Sequence, residues 1–412
     1  MDYFSEYFKY VGDSEAPMIF HRWCALSTIS SMIGREVFLP FGHKPIFPNQ
    51  YTLLLGAPGT RKSSAIGIAR TVLEKAGYKT FAKDRTSKER FFMDMARRID
   101  FDGMDLEALM DLETLVLDAP SEVLVANGEF LDFIGQGNMD FLTALTNLWD
   151  NLDKYEHPKL HGKSVVIDKP TINILGGATV KGLGMAIPPE ALGTGILSRL
   201  LMIHADMTEH KITFPAPVKE DAADQIVDTL QKIRTDLKGA ITRTAGADAM
   251  LDRMYKTDPG VEDNRFSDYS ARRFIHLLKL TILTALSEHR TSLTAGDALK
   301  ANTVLHAAEL GMPKALGEFG KSKYSDVANS IIDVLTKAHS PMSHSDLWKI
   351  VAKDLSDVKE LGIIMKNLMT SDKVQVITVK NKQGYMPLHR EQKKWDEALL
   401  LPEYLTPEER TF

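Results

Sequence analysis

The chain has 412 residues, of which 44% are hydrophobic and 25% charged, and its formal net charge is −5. This composition is ordinary for a soluble globular protein with one large domain and one or two small ones. The negative balance argues against a nucleic-acid binder that is basic throughout, so any contact with DNA needs a local patch. A single cysteine, Cys24, excludes an internal disulfide framework and fits a reducing cytoplasm. The sequence predicts neither a membrane span nor a signal peptide.

The first half of the chain alternates predicted strands with predicted helices, which favours a parallel sheet covered on both faces. We expect a helical N-terminal arm over residues 1–35 and an α/β core over residues 36–215. The helices are predicted from apolar residues at helical spacing, and the strands from short apolar runs. The predicted helices are Tyr3–Val11, His21–Ile33, Lys62–Ala76 and Ser87–Arg98. The predicted strands are Glu36–Leu39, Tyr51–Leu55, Glu122–Ala126, Thr171–Gly176 and Leu197–His204.

The second half of the chain has a different composition, and residues 220–312 read as helical throughout. We assign residues 216–320 to a helical lid. After the polar linker GKSKYS, residues 325–388 predict three helices, a strand VQVITV, a turn at NKQG and a strand YMPL. This order is typical of a winged-helix domain, which we place at residues 321–390. The charged segment 391–412 is expected to trail as a tail.

The stretch YTLLLGAPGTRKSSAI, residues 51–66, carries a variant of the phosphate-loop pattern G-x-x-x-x-G-K-[ST]. A strand that ends in a glycine-rich turn and opens a helix directs backbone N–H groups and the helix dipole at phosphate. Lys62 would reach the β- and γ-phosphates of ATP, and the Ser63 hydroxyl would help to hold Mg²⁺. The predicted nucleotide-binding residues are Gly56, Ala57, Pro58, Gly59, Thr60, Arg61, Lys62, Ser63 and Ser64.

Arg61 stands where the pattern has its second glycine. We expect Gly59 to supply the backbone freedom and the Arg61 side chain to point outward. The alternative is a chance turn that contains Gly and Pro. The strand before the loop and the helix after it favour the nucleotide interpretation.

A nucleotide hydrolase also needs a carboxylate at the end of a neighbouring strand, which holds the metal and polarises the attacking water. The stretch SEVLVANGEFLDF predicts a strand followed by Glu129 at the water-activating position. Gly128 stands where an aspartate would precede it. Asp118, at the end of TLVLD, is a candidate for the metal-side carboxylate or for the cap of a turn. A solvated loop glutamate is the alternative for Glu129.

The stretch TINILGGATV contains the predicted strand, and Thr179 lies at its carboxyl end. This polar residue could align water beside the γ-phosphate. The alternative is that Gly176 and Gly177 form a tight turn there.

The segments PNQYTLLLGAPGTRKSSA, SEVLVANGEFLDFIG, LWDN, HGKSV, PTINILGGAT, GILSRLLMI and FPAP occur in this order. Together they resemble a family of phage and bacterial P-loop proteins, some of which are described as phage replicative helicases. The resemblance covers about residues 20–215 and implies ATP and Mg²⁺ as ligands. The family usually has Asp-Glu where this chain has Gly128-Glu129, and often a polar residue where it has Ala178. These departures bear more on hydrolysis than on nucleotide binding.

A weaker likeness is to the minichromosome-maintenance helicases of the AAA+ class. The S-R-F arginine finger of those proteins is similar to ILSRLLMI, which makes Arg199 the finger. Their lid motif is similar to RRFIHLLKL, which makes Arg272 a second sensor that touches nucleotide from the lid. An arginine at the edge of a core strand also needs a partner of its own, such as a γ-phosphate across a subunit boundary. The alternatives are an internal salt bridge for Arg199 and a solvated helix face for Arg272.

The piece PKLHGKSVVI predicts a hairpin whose tip carries Lys159, His161 and Lys163. It resembles the hairpin that AAA+ viral and archaeal ring helicases point into a central channel, where lysine and histidine hold the phosphates of one strand. A ring of six subunits would multiply these few cations, so a chain of net negative charge could still bind single-stranded DNA. The alternative is an exposed hairpin with lysines for solubility. The winged helix has no basic stripe, and DNA binding, partner binding and packing stay open for it.

Taken together, the sequence predicts a P-loop NTPase core of AAA+/RecA-like type with a helical lid and a C-terminal winged helix. The expected function is an ATP-dependent, hexameric replicative helicase that translocates on single-stranded DNA and works in the cytoplasm with a primase or other replication proteins. The alternative is an ATP-controlled switch or helicase loader with slow hydrolysis, which Gly128 favours. A recombinase-like filament fits less well, because lid and winged helix add bulk that a filament does not need.

Overall fold

The computed structural model describes residues 2–12, 14–96, 121–157, 164–191, 193–215, 220–261, 263–317, 325–338, 340–370, 373–379, 382–388 and 394–410. The chain forms two compact units. The larger unit comprises Met1–Gly317 together with Trp395–Phe412, and the smaller unit comprises Glu318–Lys394.

The larger unit contains both helices and strands. Its helices are α1 (Tyr3–Val11), α2 (Met18–Ile33), α3 (Lys62–Lys75), α4 (Lys88–Ala96), α5 (Phe130–Ile134), α6 (Met139–Leu148), α7 (Val180–Ala186), α8 (Glu220–Asp236), α9 (Ala245–Thr257), α10 (Ser267–Ser287) and α11 (Ala295–Leu316). Its strands are β1 (Val37–Phe38), β2 (Tyr51–Leu55), β3 (Glu122–Asn127), β4 (Lys154–His157), β5 (Val165–Asp168), β6 (Thr171–Ala178), β7 (Leu200–His204), β8 (Gly239–Ala240), β9 (Thr242–Arg243) and β10 (Ser292–Leu293). The protein is therefore of α/β type.

The centre of the larger unit is a parallel four-stranded sheet in the order β3–β6–β2–β7. All five residues of β2 and all eight of β6 are buried, as expected for strands covered on both faces. A parallel bridge between Phe81 and Leu124 extends the sheet beyond β3. The register pairs Leu55 with both Ala178 and His204, so the carboxyl ends of β2, β6 and β7 lie side by side.

The predicted N-terminal helices form, but they are part of the larger unit. Every residue of α2 from Ile19 to Ile33 is buried, and the helix packs against α1, α3 and α8. Arg22, near its start, forms a buried ion pair with Glu409 and lies over the ring of Tyr404. A buried arginine is tolerated because both carboxylate oxygens of Glu409 accept from its guanidinium.

The C-terminal segment differs from the trailing tail that its charge suggests. Trp395 lies under the guanidinium of Arg273, and Asn302 donates a 2.9 Å hydrogen bond to the carbonyl of Leu399. Together with the Arg22–Glu409 pair, these contacts hold residues 395–410 against α2, α10 and α11. The charge of the segment does not predict these contacts, because each partner lies about a hundred or more residues away in the sequence.

The predicted lid segment is helical over α8–α11, but it packs within the same unit as the sheet. It also contains short strands that the sequence did not indicate: β8 pairs with β1, and β9 pairs with β10. Helix α11 begins with a capping box between Thr294 and Asp297, and it packs on β7. The strand expected over Leu197–His204 begins only at Leu200, because Leu197–Arg199 forms a 3-10 turn.

The smaller unit has the predicted order of three helices and a hairpin. Its elements are α12 (Ser325–Ala338), α13 (His344–Val351), α14 (Val358–Thr370) and the antiparallel strands β11 (Val374–Val379) and β12 (Lys382–Pro387). Ile331, Leu347 and Leu361 are among the side chains that form its core. The second strand starts at Lys382, so part of the expected NKQG turn belongs to the ladder.

Candidate functional site

The β2–α3 loop, residues 56–61, lies at the carboxyl end of β2, where ligands of open parallel sheets usually bind. Gly59 has φ 90°, which a side chain would oppose. A Cβ on Gly56 would fall 2.6 Å from the carbonyl oxygen of Ala205, so the loop can leave the sheet only if this residue is glycine. Ala57, Pro58 and Gly59 are exposed, and the loop is open to a ligand from solvent.

Lys62, the first residue of α3, is buried and its ammonium group lies inside the β2–α3 loop. Nζ donates to the carbonyls of Gly56 and Ala57 at 3.0 and 2.9 Å, and to Oγ1 of Thr60 at 2.9 Å. Burial lowers the pKa of Lys62, while the nearby Glu129 carboxylate opposes this change. The loop thus holds a cation whose present partners are all neutral, and an anionic oxygen would make a stronger, charge-assisted bond to it.

Arg61 adopts the left-handed conformation, with φ 59° and ψ 24°. A side chain in this conformation costs about 1–2 kcal/mol, which explains why the pattern has glycine here. Gly59 therefore does not relieve the backbone at position 61, in contrast to the expectation. The side chain does point outward as expected: it is half exposed, and its Nε donates to Glu15 at 2.6 Å.

The end of β3 approaches the start of α3 at Gly128 and Ser63. A Cβ on Gly128 would lie 2.8 Å from Oγ of Ser63, and a Cβ on Gly177 would lie 2.5 Å from the carbonyl oxygen of Gly128. Glycine at both positions lets β3, β6 and α3 come this close together. At position 128, where the sequence resemblance led us to expect an aspartate, there is therefore no room for a side chain beside Ser63.

Glu129 follows at the same edge and is exposed. Its N–H donates to the side-chain oxygen of Asn127 at 2.8 Å, and Asn127 donates from Nδ2 to the carbonyl of Asp84 at 2.7 Å. The residue is close enough to Lys62 for its charge to favour the protonated ammonium. The structure thus brings together three predicted site residues, Ser63, Lys62 and Glu129.

Thr179 directly follows β6, opposite the beginning of the β2–α3 loop, because Ala178 is paired with Leu55. Its Oγ1 accepts from the N–H of Gly182 at 2.9 Å and caps helix α7. The hydroxyl proton can still be donated to a third group. The alternative interpretation, a tight turn at Gly176 and Gly177, is wrong, because both residues lie within β6.

Arg199 and Arg272 lie at the opposite edge of the sheet from the β2–α3 loop. Arg199 immediately precedes β7, whose first residue pairs with Tyr51 at the amino end of β2. At about 3.3 Å per strand residue, Arg199 is roughly 17 Å from the loop of its own chain. It forms a 2.7 Å ion pair with Asp150, and Arg272 contacts the same carboxylate at 3.4 Å. Within this chain, the salt-bridge alternative for Arg199 is what the structure contains.

Three neighbours of these arginines were not identified as functional from the sequence. Trp149 lies under the side-chain cations of Arg199, Arg272 and Lys279, with Lys279 Nζ 4.1 Å from the ring centroid. Burial lowers the pKa of Lys279 well below its usual value, and its Nζ donates to Asn49. Asp150 is a carboxylate near all three cations. The LWDN motif was a signal for Trp149 and Asp150, but it carries no indication of their partners.

Four predicted site residues lie outside the described residues: Asp118, Lys159, His161 and Lys163. The two strands β4 and β5 that flank the last three do pair antiparallel, with His157 opposite Val165. The described part of the chain contains no group of three or more His, Cys, Asp or Glu residues that could hold a metal ion. None of its helices is long and apolar enough to cross a bilayer.

Comparison with known proteins leaves the site to be judged on its own geometry. No protein-family model matches the sequence, and a search of curated proteins finds no similar sequence. The functional argument therefore rests on four residues at the carboxyl edge of the sheet. They are Lys62 and Ser63 after β2, Glu129 after β3 and Thr179 after β6.

Proposed function

We propose that this chain is a P-loop ATPase of AAA+ type that forms a hexameric ring and translocates on single-stranded DNA as a helicase. The observation that supports it most is the buried ammonium of Lys62 inside an exposed, glycine-containing loop at a strand end. A lysine in this position exchanges neutral carbonyl partners for phosphate oxygens. The resemblance to phage and bacterial P-loop proteins supplies the helicase part of the proposal.

The residues at the carboxyl edge fit the triphosphate of ATP. Arg61 makes no side-chain cap bond to α3, and the first-turn N–H groups of that helix have no partner within it, so they can donate to phosphate. Lys62 would bind the β- and γ-phosphates. Glu129 would orient the attacking water, and the Thr179 hydroxyl would hold that water from the end of β6.

For Mg²⁺ the chain supplies fewer ligands than the family does. The Ser63 hydroxyl is available, and the aspartate expected beside it is replaced by Gly128, which leaves Glu129, just after β3, as the candidate carboxylate there. Mg²⁺ commonly keeps several waters and uses phosphate oxygens, so this set is sufficient for a metal held mainly by the nucleotide. When bound, the ion would neutralise charge on the phosphate oxygens.

The position of Arg199 supports assembly into a ring. A side chain at the amino edge cannot reach the loop of its own chain, but it can reach the loop of a neighbour. Its Nε is buried and has no hydrogen-bond partner among the described residues, although the residue pairs with Asp150 through Nη2. Arg272, which contacts the same Asp150, would act across the same boundary. A γ-phosphate from the neighbour would add an anion to a cluster of cations.

DNA binding is assigned to the hairpin built on β4 and β5. The antiparallel pairing of these strands supports a hairpin whose tip carries Lys159, His161 and Lys163. Six copies of this tip would hold the strand through its phosphates, which gives little sequence preference. The smaller unit would be a winged helix that binds DNA or a replication partner.

The rival proposal is an ATP-controlled switch or helicase loader that hydrolyses slowly. The glycine at position 128 favours it, because the metal loses a protein ligand there. One experiment separates the two functions: steady-state phosphate release with and without single-stranded DNA, with the mass in solution measured in parallel. The helicase proposal predicts strong stimulation by DNA and a species six times the monomer mass. A monomer whose turnover ignores DNA would support the switch, and absence of ATP binding would reject both.

A further inference from the structure

A cavity of about 260 Å³ opens beside the β2–α3 loop. One wall is formed by Gly59 and Arg61 of the loop, and a second wall by residues from the segment 207–213, which follows β7. Glu15, in the connection between α1 and α2, completes it. Because Gly59 and Arg61 lie immediately before the helix that would hold the phosphates, a ligand in the cavity could be continuous with them.

Glu15 joins the three segments that surround the cavity. Its Oε2 accepts from Nε of Arg61 at 2.6 Å, and its Oε1 accepts from the N–H of Ile212 at 2.8 Å. Its carbonyl accepts from Oγ1 of Thr208 at 2.7 Å. The bonds from the Ile212 N–H and from Arg61 lower the pKa of the Glu15 carboxyl, the Ile212 N–H having the larger effect, so the group is ionised at neutral pH. The arginine that replaces the glycine of the pattern thus anchors the wall of the cavity.

The chemistry of the walls combines apolar and polar groups. Met207 is exposed, and its sulfur lies 3.4 Å from where a Cβ on Gly59 would be. The thioether and the Ile212 side chain provide surfaces for a flat ring, while the Glu15 carboxylate accepts from hydroxyl or amino groups. Small-molecule sites of this kind are mainly apolar with a few placed polar groups, and this volume is near their lower limit of about 300 Å³. A single nucleoside has this size and this mixture of groups.

We propose that this cavity is the nucleoside subsite, which holds the base and ribose of the triphosphate bound by the β2–α3 loop. The inference rests on the proposed function, because it takes the phosphates to lie on the loop. In it, Glu15 and Arg61 are positioning residues that keep the segment 207–213 against the loop. The segment provides discrimination between nucleosides, and the loop provides affinity for phosphate irrespective of the base.

The test compares two ligands by calorimetric titration in the presence of Mg²⁺: ATP and inorganic tripolyphosphate. The test variant is Thr213→Trp, which fills the cavity from an exposed position in its lining. The control variant is Phe214→Trp, because the Phe214 side chain is 88% exposed and does not line the cavity. We expect Thr213→Trp to weaken ATP binding about tenfold or more, equivalent to ~1.4 kcal/mol, with tripolyphosphate affinity unchanged. Phe214→Trp should change neither affinity.

Each contrary outcome identifies what has failed. The cavity is not the nucleoside subsite if Thr213→Trp binds ATP as tightly as the parent does. The same holds if its affinities for ATP and for tripolyphosphate fall equally. In both cases the proposed phosphate site is unaffected. If the parent protein binds neither ligand, the proposed function fails and the inference fails with it. A melting temperature equal to that of the parent shows that the variants are folded.

Discussion

The carboxyl and amino edges of the central sheet are built in different ways. At the carboxyl edge, glycines bring backbones close together: a Cβ on Gly177 would meet the carbonyl oxygen of Gly128 at 2.5 Å. At the amino edge, Arg199, Arg272 and the buried Lys279 lie around Trp149, and Asp150 faces the two arginines. The first edge is built from close backbone approaches, and the second from charged side chains around an aromatic ring.

Under the proposed function, the two edges carry two halves of a site that do not meet within one chain. A phosphate held at the carboxyl edge is about 17 Å from the cations of the same chain, since strand β2 separates them. Under the proposed function, Arg199 and Arg272 would therefore meet a phosphate of a neighbouring copy and not one of their own chain. A second copy, which presents its own carboxyl edge, is the partner that the proposed ring provides.

Arg199 provides the largest expected effect. In the assembled protein, Arg199→Ala should lower ATP turnover about a thousandfold, as the loss of an arginine finger does. Arg199→Lys is the matched control, because it keeps a cation for Asp150 but loses the guanidinium. Mixing Arg199→Ala with Lys62→Ala subunits should restore part of the activity, measured as phosphate release. If verified mixed rings stay inactive, Arg199 is a structural salt bridge.

Glu129 tests the carboxyl edge. Glu129→Gln keeps the shape of the side chain and loses the base, so turnover should fall about a hundredfold while ATP affinity is unchanged. Glu190→Gln, at another exposed glutamate, is the control and should have no effect. Turnover equal to that of the parent would assign the base elsewhere, with Asp118 the next candidate.

The glycine contacts are tested by a pair of Gly→Ala substitutions. Gly177→Ala adds a methyl group 2.5 Å from a backbone oxygen and should lower the free energy of unfolding by about 1–3 kcal/mol. Gly67 lies within α3, and a Cβ added there would have nothing within 4 Å. Gly67→Ala should therefore raise the free energy of unfolding by up to about 1 kcal/mol. Urea titration measures both. Equal effects would mean that the close approach of β3, β6 and α3 is not tight.

Arg61 should give the smallest change. Arg61→Gly relieves the left-handed backbone, worth about 1–2 kcal/mol, but removes a solvent-screened ion pair with Glu15 that stabilises the fold less than this. The free energy of unfolding in urea should therefore rise slightly. A clear decrease would show that the bond to Glu15 outweighs the backbone strain.

Local features of the sequence were predicted well, and long-range ones were not. Helix α1 and strand β2 have the predicted bounds, and α3 begins at Lys62 as expected, because apolar spacing and the Pro-Gly turn are properties of short segments. The α/β class with a parallel sheet follows from the same signals.

What could not be predicted depends on distant partners. Asp150 faces arginines about 50 and 120 residues away, and Glu409 pairs with Arg22 across nearly the whole chain. The left-handed backbone at Arg61 could have been inferred, since the pattern has glycine at that position. Its bond to Glu15 could not, because nothing in the stretch 51–66 points to the connection between α1 and α2.

The central claim is that the β2–α3 loop binds the phosphates of ATP through Lys62. The most direct measurement is the equilibrium affinity for a fluorescent ATP analogue, determined for the parent and for Lys62→Ala. Among the described residues, the Lys62 ammonium bonds to its own loop, and the variant should keep the melting temperature while its affinity falls a hundredfold or more, equivalent to about 2.7 kcal/mol. A folded Lys62→Ala protein that binds the analogue as tightly as the parent would contradict the account.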